Sequence, residues 1–306
     1  DEGNTIPFIA RYRKEATGSM DDQVLRKLGE RLDYLRGLEK RRDEVKRSIE
    51  EQGALTEELA QKLEAAETLA RLEDLYRPYR PKRKARGSVA RARGLASLAE
   101  LLLAQNSGPD PEKAAAEYLS EEVPDTAAAL AGARDILAEQ FSDDAALRQE
   151  LRELYQRTAL LASKAADAEK ESVYEQYYDY AEPVSKVAGH RILAVDRGER
   201  EGFLKVSIQA EAEQAAALLR RRFVRAGGGP SAAQVTLAAQ DAYDRLLHPS
   251  LERELRSELT ARAAEGAIAV FGENLRQLLL QPPIRGKVAL GMDPGYRMGC
   301  KLAVVD

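Results

Sequence analysis

The sequence predicts a mainly α-helical chain: a multi-helix array with one β-hairpin near residues 190–209 and a second, truncated hairpin at the C-terminus. Three observations carry this. Apolar residues recur at helical spacing over most of the chain, capping residues and glycines punctuate those runs, and period-two or continuous short apolar runs occur near 190–209 and after Pro283.

In chain order, Ser19 reads as a helix cap with Asp21 and Asp22 in the first turn. Leu25, Leu28, Leu32, Leu35, Val45 and Ile49 then mark one long amphipathic helix ended by Gly53. Thr56 starts another helix whose stripe, Leu59, Leu63, Leu69, Leu72 and Leu75, runs to Pro78. Residues 76–94 break the pattern with two prolines and two glycines, and they carry eight Lys or Arg and no acid. From Leu95 to about Ala166 helices resume behind Asp110-Pro111, Asp125 and Ser142-Asp143-Asp144, the last with Leu147, Leu151, Leu154, Ala159 and Leu161 near one face. Ile192 to Val195, a turn-like DRGEREG and Phe203 to Ile208 read as the first hairpin. Helices return at about Glu211–Arg225, Ser231–Leu247 and Leu251–Leu280, and Pro282-Pro283 ends them. Val288–Met292 and Cys300–Val305 then form two short runs that read as strands buried on both faces of a larger sheet. The expected divisions are 1–94, a helical domain ending in the basic segment; 95–189, helical; 190–283, hairpin plus helices; and 284–306, the start of a further domain.

Composition narrows the function classes. Hydrophobic residues at 44% and charged residues at 32% fit a globular protein and are too apolar for a disordered one. One Cys and two His, Cys300, His190 and His248, supply neither an intramolecular disulfide nor a zinc-finger ligand set, so no metal or other cofactor is expected, and a reducing cytoplasm is the expected compartment. No apolar run approaches the roughly 20 residues that span a bilayer, so no membrane partner is expected. Asp1 is no initiator and the chain stops after an apolar run, which reads as a piece of something longer.

The basic segment is the best binding candidate. Clustered cations bind phosphate backbones through counterion release, so Arg77, Arg80, Lys82, Arg83, Lys84 and Arg86 are the expected nucleic-acid contacts, with Tyr76 and Tyr79 available to stack on bases. A solvated charged face is the competing reading. Arg220, Arg221, Arg222 and Arg225 form a second patch, but they sit in the last turns of a helix, where cations complement the dipole. Tyr174, Tyr177, Tyr178 and Tyr180 stand among Glu175, Asp179 and Glu182, which favours packing over base stacking. Gly227-Gly228-Gly229 lacks the Lys-Ser or Lys-Thr of a phosphate loop and follows a helix. Asp293, at a strand end before a Pro-Gly turn, is placed like the first acid of a metal-dependent nuclease, but one carboxylate makes no such site and a turn aspartate is the favoured reading.

Four stretches together resemble a known family. TIPFIARYRKEATGSMD at Thr5–Asp21, LEDLYRPYRPKRKARG at Leu72–Gly87, EPVSKVAGHRILAVDRGEREGFLKV at Glu182–Val206 and ALGMDPGYRMGCKLAVVD at Ala289–Asp306 look like successive signatures of the Tex family of bacterial transcription accessory proteins. The resemblance implies helix-turn-helix-like parts in the helical region. It also implies that the C-terminal hairpin opens a YqgF or RNase H-like domain, followed in a longer protein by helix-hairpin-helix motifs and an OB-fold RNA-binding domain. It implies no catalytic residue: Asp293 matches the first acid of related resolvases, in a domain regarded as lacking the full set. The expected function is a non-enzymatic helical scaffold that binds RNA or DNA without reading sequence in transcription and RNA metabolism. The alternatives are part of a metal-dependent YqgF-type nuclease, or a scaffold for RNA polymerase.

Overall fold

The computed structural model describes residues 3–80, 85–106, 110–282, 286–295 and 299–305. It is mainly helical, with small sheets. The chain divides into two compact units, the first comprising Asp1–Leu161, Pro183–Ser185 and Ile208–Glu254, the second Ala162–Glu182, Lys186–Ser207 and Leu255–Asp306.

The chain opens with α1 (Ile6–Tyr12), α2 (Lys14–Thr17) and the long α3 (Asp22–Glu50). The cap of α3 is Asp21, whose carboxylate accepts the Val24 N–H at 2.8 Å; Ser19 is instead in the left-handed region at φ 64°, so it cannot hold the extended conformation a cap needs. α4 (Glu57–Glu64) is capped by Thr56 as expected, and α5 (Leu69–Tyr76) by Thr68. Leu38, Val45 and Ile49 of α3 meet Leu59 and Leu63 of α4 and Leu72, Leu75 and Tyr76 of α5 in one buried cluster. Arg42 lies buried beside it and donates to the Leu63 and Ala66 carbonyls at 3.0 Å each, tying α3 to the end of α4 and the residues after it.

α6 (Arg86–Ala92), α7 (Ala96–Ala104), α8 (Pro111–Ala115), α9 (Thr126–Ser142) and α10 (Ala145–Thr158) follow. α9 buries Ala129, Leu130, Ala133, Ile136, Leu137 and Phe141, because its alanines let α6, α7 and α8 approach closely. Ser142 closes α9; the cap of α10 is Asp144, which accepts from the Leu147 N–H at 2.8 Å. Helix also ends earlier than the apolar pattern suggests. Leu161 lies in strand β1 (Leu160–Ala165), whose run of three buried residues, Leu161, Ala162 and Ser163, needs a sheet environment.

β2 (Asp179–Pro183) precedes α11 (Gly189–Arg200), and β3 (Leu204–Gln209) completes a three-stranded sheet in the order β2-β1-β3. The hairpin expected near 190–209 is therefore replaced by a helix and one strand. Ile192 and Val195 are buried at an i, i+3 spacing, and the presumed turn DRGER continues as helix with Arg197 and Glu201 paired at i, i+4. Gly198, which reads as a turn residue, is there for close approach: a Cβ would lie 2.6 Å from Leu204 Cδ1 and 3.1 Å from Tyr174 Cδ1. Gly198→Val is accordingly expected to cost about 1–3 kcal/mol by overpacking, read as a lowered urea midpoint at unchanged slope. Tyr174, Tyr177, Val195 and Leu204 form the core here, with Tyr178 and Tyr180 packed at its edge, so the tyrosine cluster does pack.

α12 (Ala212–Phe223) and α13 (Gly229–Asp241) come next, and α13 runs through one π-helical stretch, Ala242–Leu247, into α14 (His248–Leu279). The expected break at Pro249 becomes this wider turn, in which the His248 N–H reaches the Tyr243 carbonyl five residues back. The following proline has no N–H to give. β4 (Ala289–Asp293) and β5 (Lys301–Val305) pair antiparallel with Ala289 opposite Val305 and Asp293 opposite Lys301. The side chains of both strands are exposed.

Candidate nucleic-acid interface

The basic segment is less irregular than its prolines and glycines suggest. Arg77–Tyr79 form one 3-10 turn, and Arg86 opens α6. Gly87 lies in the first turn of α6 because its N–H donates to the buried Glu139 of α9 at 2.7 Å; a Cβ there would sit 2.6 Å from the Glu139 carboxyl carbon. The tyrosines are not stacking platforms. Tyr76 is buried, with its hydroxyl 2.9 Å from Ser48 Oγ, and Tyr79 packs against the same core, since both continue the apolar face of α5.

The six expected contact residues have different fates. Arg77 donates to Ser250 Oγ at 3.3 Å and lies 3.9 Å from the Asp74 carboxylate. Arg80 and Arg86 are exposed, and among the described residues neither has a carboxylate within 4.0 Å. Lys82, Arg83 and Lys84 lie outside the described residues. Farther along, Arg93 stands 3.5 Å from Glu122. A groove of about 490 Å³ places Arg80 and Arg91 together with Glu139, Asp143, Asp144 and Phe223. The segment that has no acid of its own therefore meets acids supplied by α9 and its neighbours. Sequence separation hides these neighbours, and the hint is the acidic punctuation around Ser142.

Beneath Arg77 lies a charge network that the helical pattern does not reveal. Asp74 on α5 is 2% exposed and accepts from Arg148 Nε at 2.8 Å and Arg152 Nη1 at 2.5 Å, both on α10. Arg152 also pairs with Glu254, and Arg148 donates to Ser250 Oγ at 3.0 Å. Burial pushes the Arg148 pKa down, helped by the nearby Arg77 charge and opposed by Asp74. Burial also works against the Arg152 charge, but hydrogen bonds to Asp74 and Glu254 outweigh it and hold its pKa above the ordinary value. Arg148 Nη1 is buried without a partner among the described residues.

The second basic patch is tied up at home. Arg220 pairs with Glu213, Arg221 with Glu150, and Arg222 with Asp144 and Glu150, while Arg225 donates to the Ala104 carbonyl. His248 Nδ1 is 2.7 Å from the Tyr155 hydroxyl. Among the described residues no three His, Cys, Asp or Glu are grouped to hold a metal, and no described helix is long and apolar enough to cross a membrane.

Comparison with known families agrees with the motif spacing. A model described as Tex central region-like matches residues 106–271, more than half of the chain, and one described as Tex-like protein N-terminal domain matches residues 1–50. The chain belongs to the Tex family. It is 44% identical over 325 residues to the transcriptional accessory protein Tex of Neisseria gonorrhoeae, covering 100% of this chain and 41% of that protein. It is 42% identical over 321 residues to the protein YhgF of Escherichia coli K12, covering 100% and 41%. More distantly, it is 30% identical over 324 residues to the human S1 RNA-binding domain-containing protein 1, covering 100% and 32%. This Tex-family chain thus spans about two fifths of the length of those bacterial relatives.

Proposed function

We propose that the chain is the helical part of a longer, cytoplasmic, non-enzymatic transcription accessory protein, and that its basic segment holds a nucleic-acid backbone without reading its sequence. The observation that carries this is the run of cations from Arg80 to Arg91, of which Arg80, Arg86 and Arg91 have no carboxylate within 4.0 Å among the described residues. Lys82, Arg83 and Lys84 lie between them in sequence. Exposed cations without a carboxylate in ion-pair range favour a polyanion. The names of the relatives, transcriptional accessory for one and RNA-binding for another, support the same reading. The antiparallel β4–β5 pair fits the opening hairpin of an RNase H-like domain.

The test is the salt dependence of binding by the longer protein to single-stranded RNA and duplex DNA. Reversing the charge of Arg80, Lys82, Arg83 and Lys84 is expected to flatten the log–log salt slope by about 0.7–0.9 per lost contact. Unchanged slope and affinity for both polymers would reject the reading. A scaffold for RNA polymerase is the second reading, favoured by Glu139, Asp143 and Asp144 beside Arg80 and Arg91, because a mixed-charge groove suits a protein surface better than phosphate. Polymerase retained at high salt, with no nucleic-acid shift, would support it.

A further inference from the structure

The N-terminal half of α3 carries an apolar stripe that its own unit does not cover. Val24, Leu28, Leu32 and Leu35 are 48%, 54%, 43% and 43% exposed, whereas Leu38, Val45 and Ile49 farther along the same helix are buried against α4 and α5. At 3.6 residues per turn the four fall within about 80° of one another around the axis. Leu25 beside them is buried, and Gly29 lets Ile6 of α1 come within 3.1 Å of where a Cβ would be, so α1 closes one flank and stops short of the stripe. This spacing is that of a seam awaiting another helix.

The charges bordering the seam state what kind of helix. Lys27 and Arg31 flank it on one side, Glu30 and Asp33 fall on the opposite face of α3, and Glu39, paired with Arg42, lies one turn past Leu35 at its end. Arg31 stands over the Tyr34 ring, 5.1 Å from its centroid. A helix with apolar residues at the contact positions and Asp or Glu on the shoulder that faces Lys27 and Arg31 would be complementary to that border.

We infer that Val24, Leu28, Leu32 and Leu35 dock an acid-flanked amphipathic helix of the same polypeptide. This rests on reading the chain as part of a longer Tex-type protein, and more than half of the length of the bacterial relatives lies outside the match. Docking on this face is independent of nucleic-acid binding, so either can fail alone.

The test labels a cysteine at the seam. In a Cys300→Ser background, Leu28→Cys is introduced into the 306-residue chain and into the longer protein, and both are modified with a maleimide. Leu28 is half-exposed, so this change is not expected to disturb the fold. The expected result is labelling at least tenfold slower in the longer protein and independent of protein concentration. Adding Lys27→Glu and Arg31→Glu is expected to restore fast labelling. Equal rates in the two lengths would overturn the inference, as would protection that grows with concentration, which would mean a second copy. Protection unaffected by the two glutamates would overturn the acid-flanked chemistry.

Discussion

Asp74→Ala is expected to lower the folding free energy of the first unit by about 3–5 kcal/mol, because it strips the shared acceptor from the buried Arg148 and the half-buried Arg152 guanidinium groups. Asp74 is 2% exposed and Arg148 1% exposed, so water cannot take over the lost hydrogen bonds without the helices α5 and α10 parting. Glu254 compensates Arg152 only, since it lies 3.6 Å from Arg148 at its nearest approach and already holds Arg152 closely. The measurement is urea unfolding followed by far-ultraviolet circular dichroism, with the midpoint lowered and the slope unchanged. Removing the stranded charge as well, in Asp74→Ala with Arg148→Met, is expected to recover much of the loss. A single-mutant effect under about 1 kcal/mol would show that the network is not a stabilising node.

Phe141→Ala is expected to cost a similar amount, about 3–5 kcal/mol, through the cavity it leaves. Its ring is 1% exposed and stacks on Phe223 with centroids 3.9 Å apart and planes 14° from parallel. Phe223 ends α12 and lines the groove that holds Arg80 and Arg91. Losing its ring partner should therefore loosen one wall of that groove as well as the core. Phe141→Leu, which keeps most of the volume, is expected to recover over half of the loss; equal losses for the two variants would assign the effect to aromatic stacking instead of packing.

Most helices were legible because their caps are local chemistry. Thr56, Asp110 and Asp125 each accept a backbone N–H two or three residues ahead, and nothing distant can change that. Where adjacent residues offered rival caps, at Ser19 against Asp21 and Ser142 against Asp144, the choice depended on backbone torsions that the residue types leave open. The α11 misreading has the same root. A four-residue apolar run is compatible with strand or helix, and the decision came from Tyr174 and Leu204 closing over Gly198. The candidate site was legible as a cluster of cations and illegible as a charge balance. Glu122 and Glu139 reach it only through tertiary contacts, Asp74 stands one helical turn before Arg77 but is drawn into a buried network with α10, and Tyr76 and Tyr79 belong to the core of α3, α4 and α5.

The π-helical stretch at Ala242–Leu247 changes the phase of everything after it. One residue more than α-helical winding turns each later side chain by about 100° around the axis, equivalent to a single-residue insertion. Leu251, four residues beyond the stretch, is 2% exposed and so faces the interior with that offset in place. Excising one residue between Ala242 and Leu247 would therefore take up the extra residue in an unbroken α-helix and leave the α14 side chains facing as they do, whereas a one-residue deletion elsewhere in α13 would turn them by about 100°.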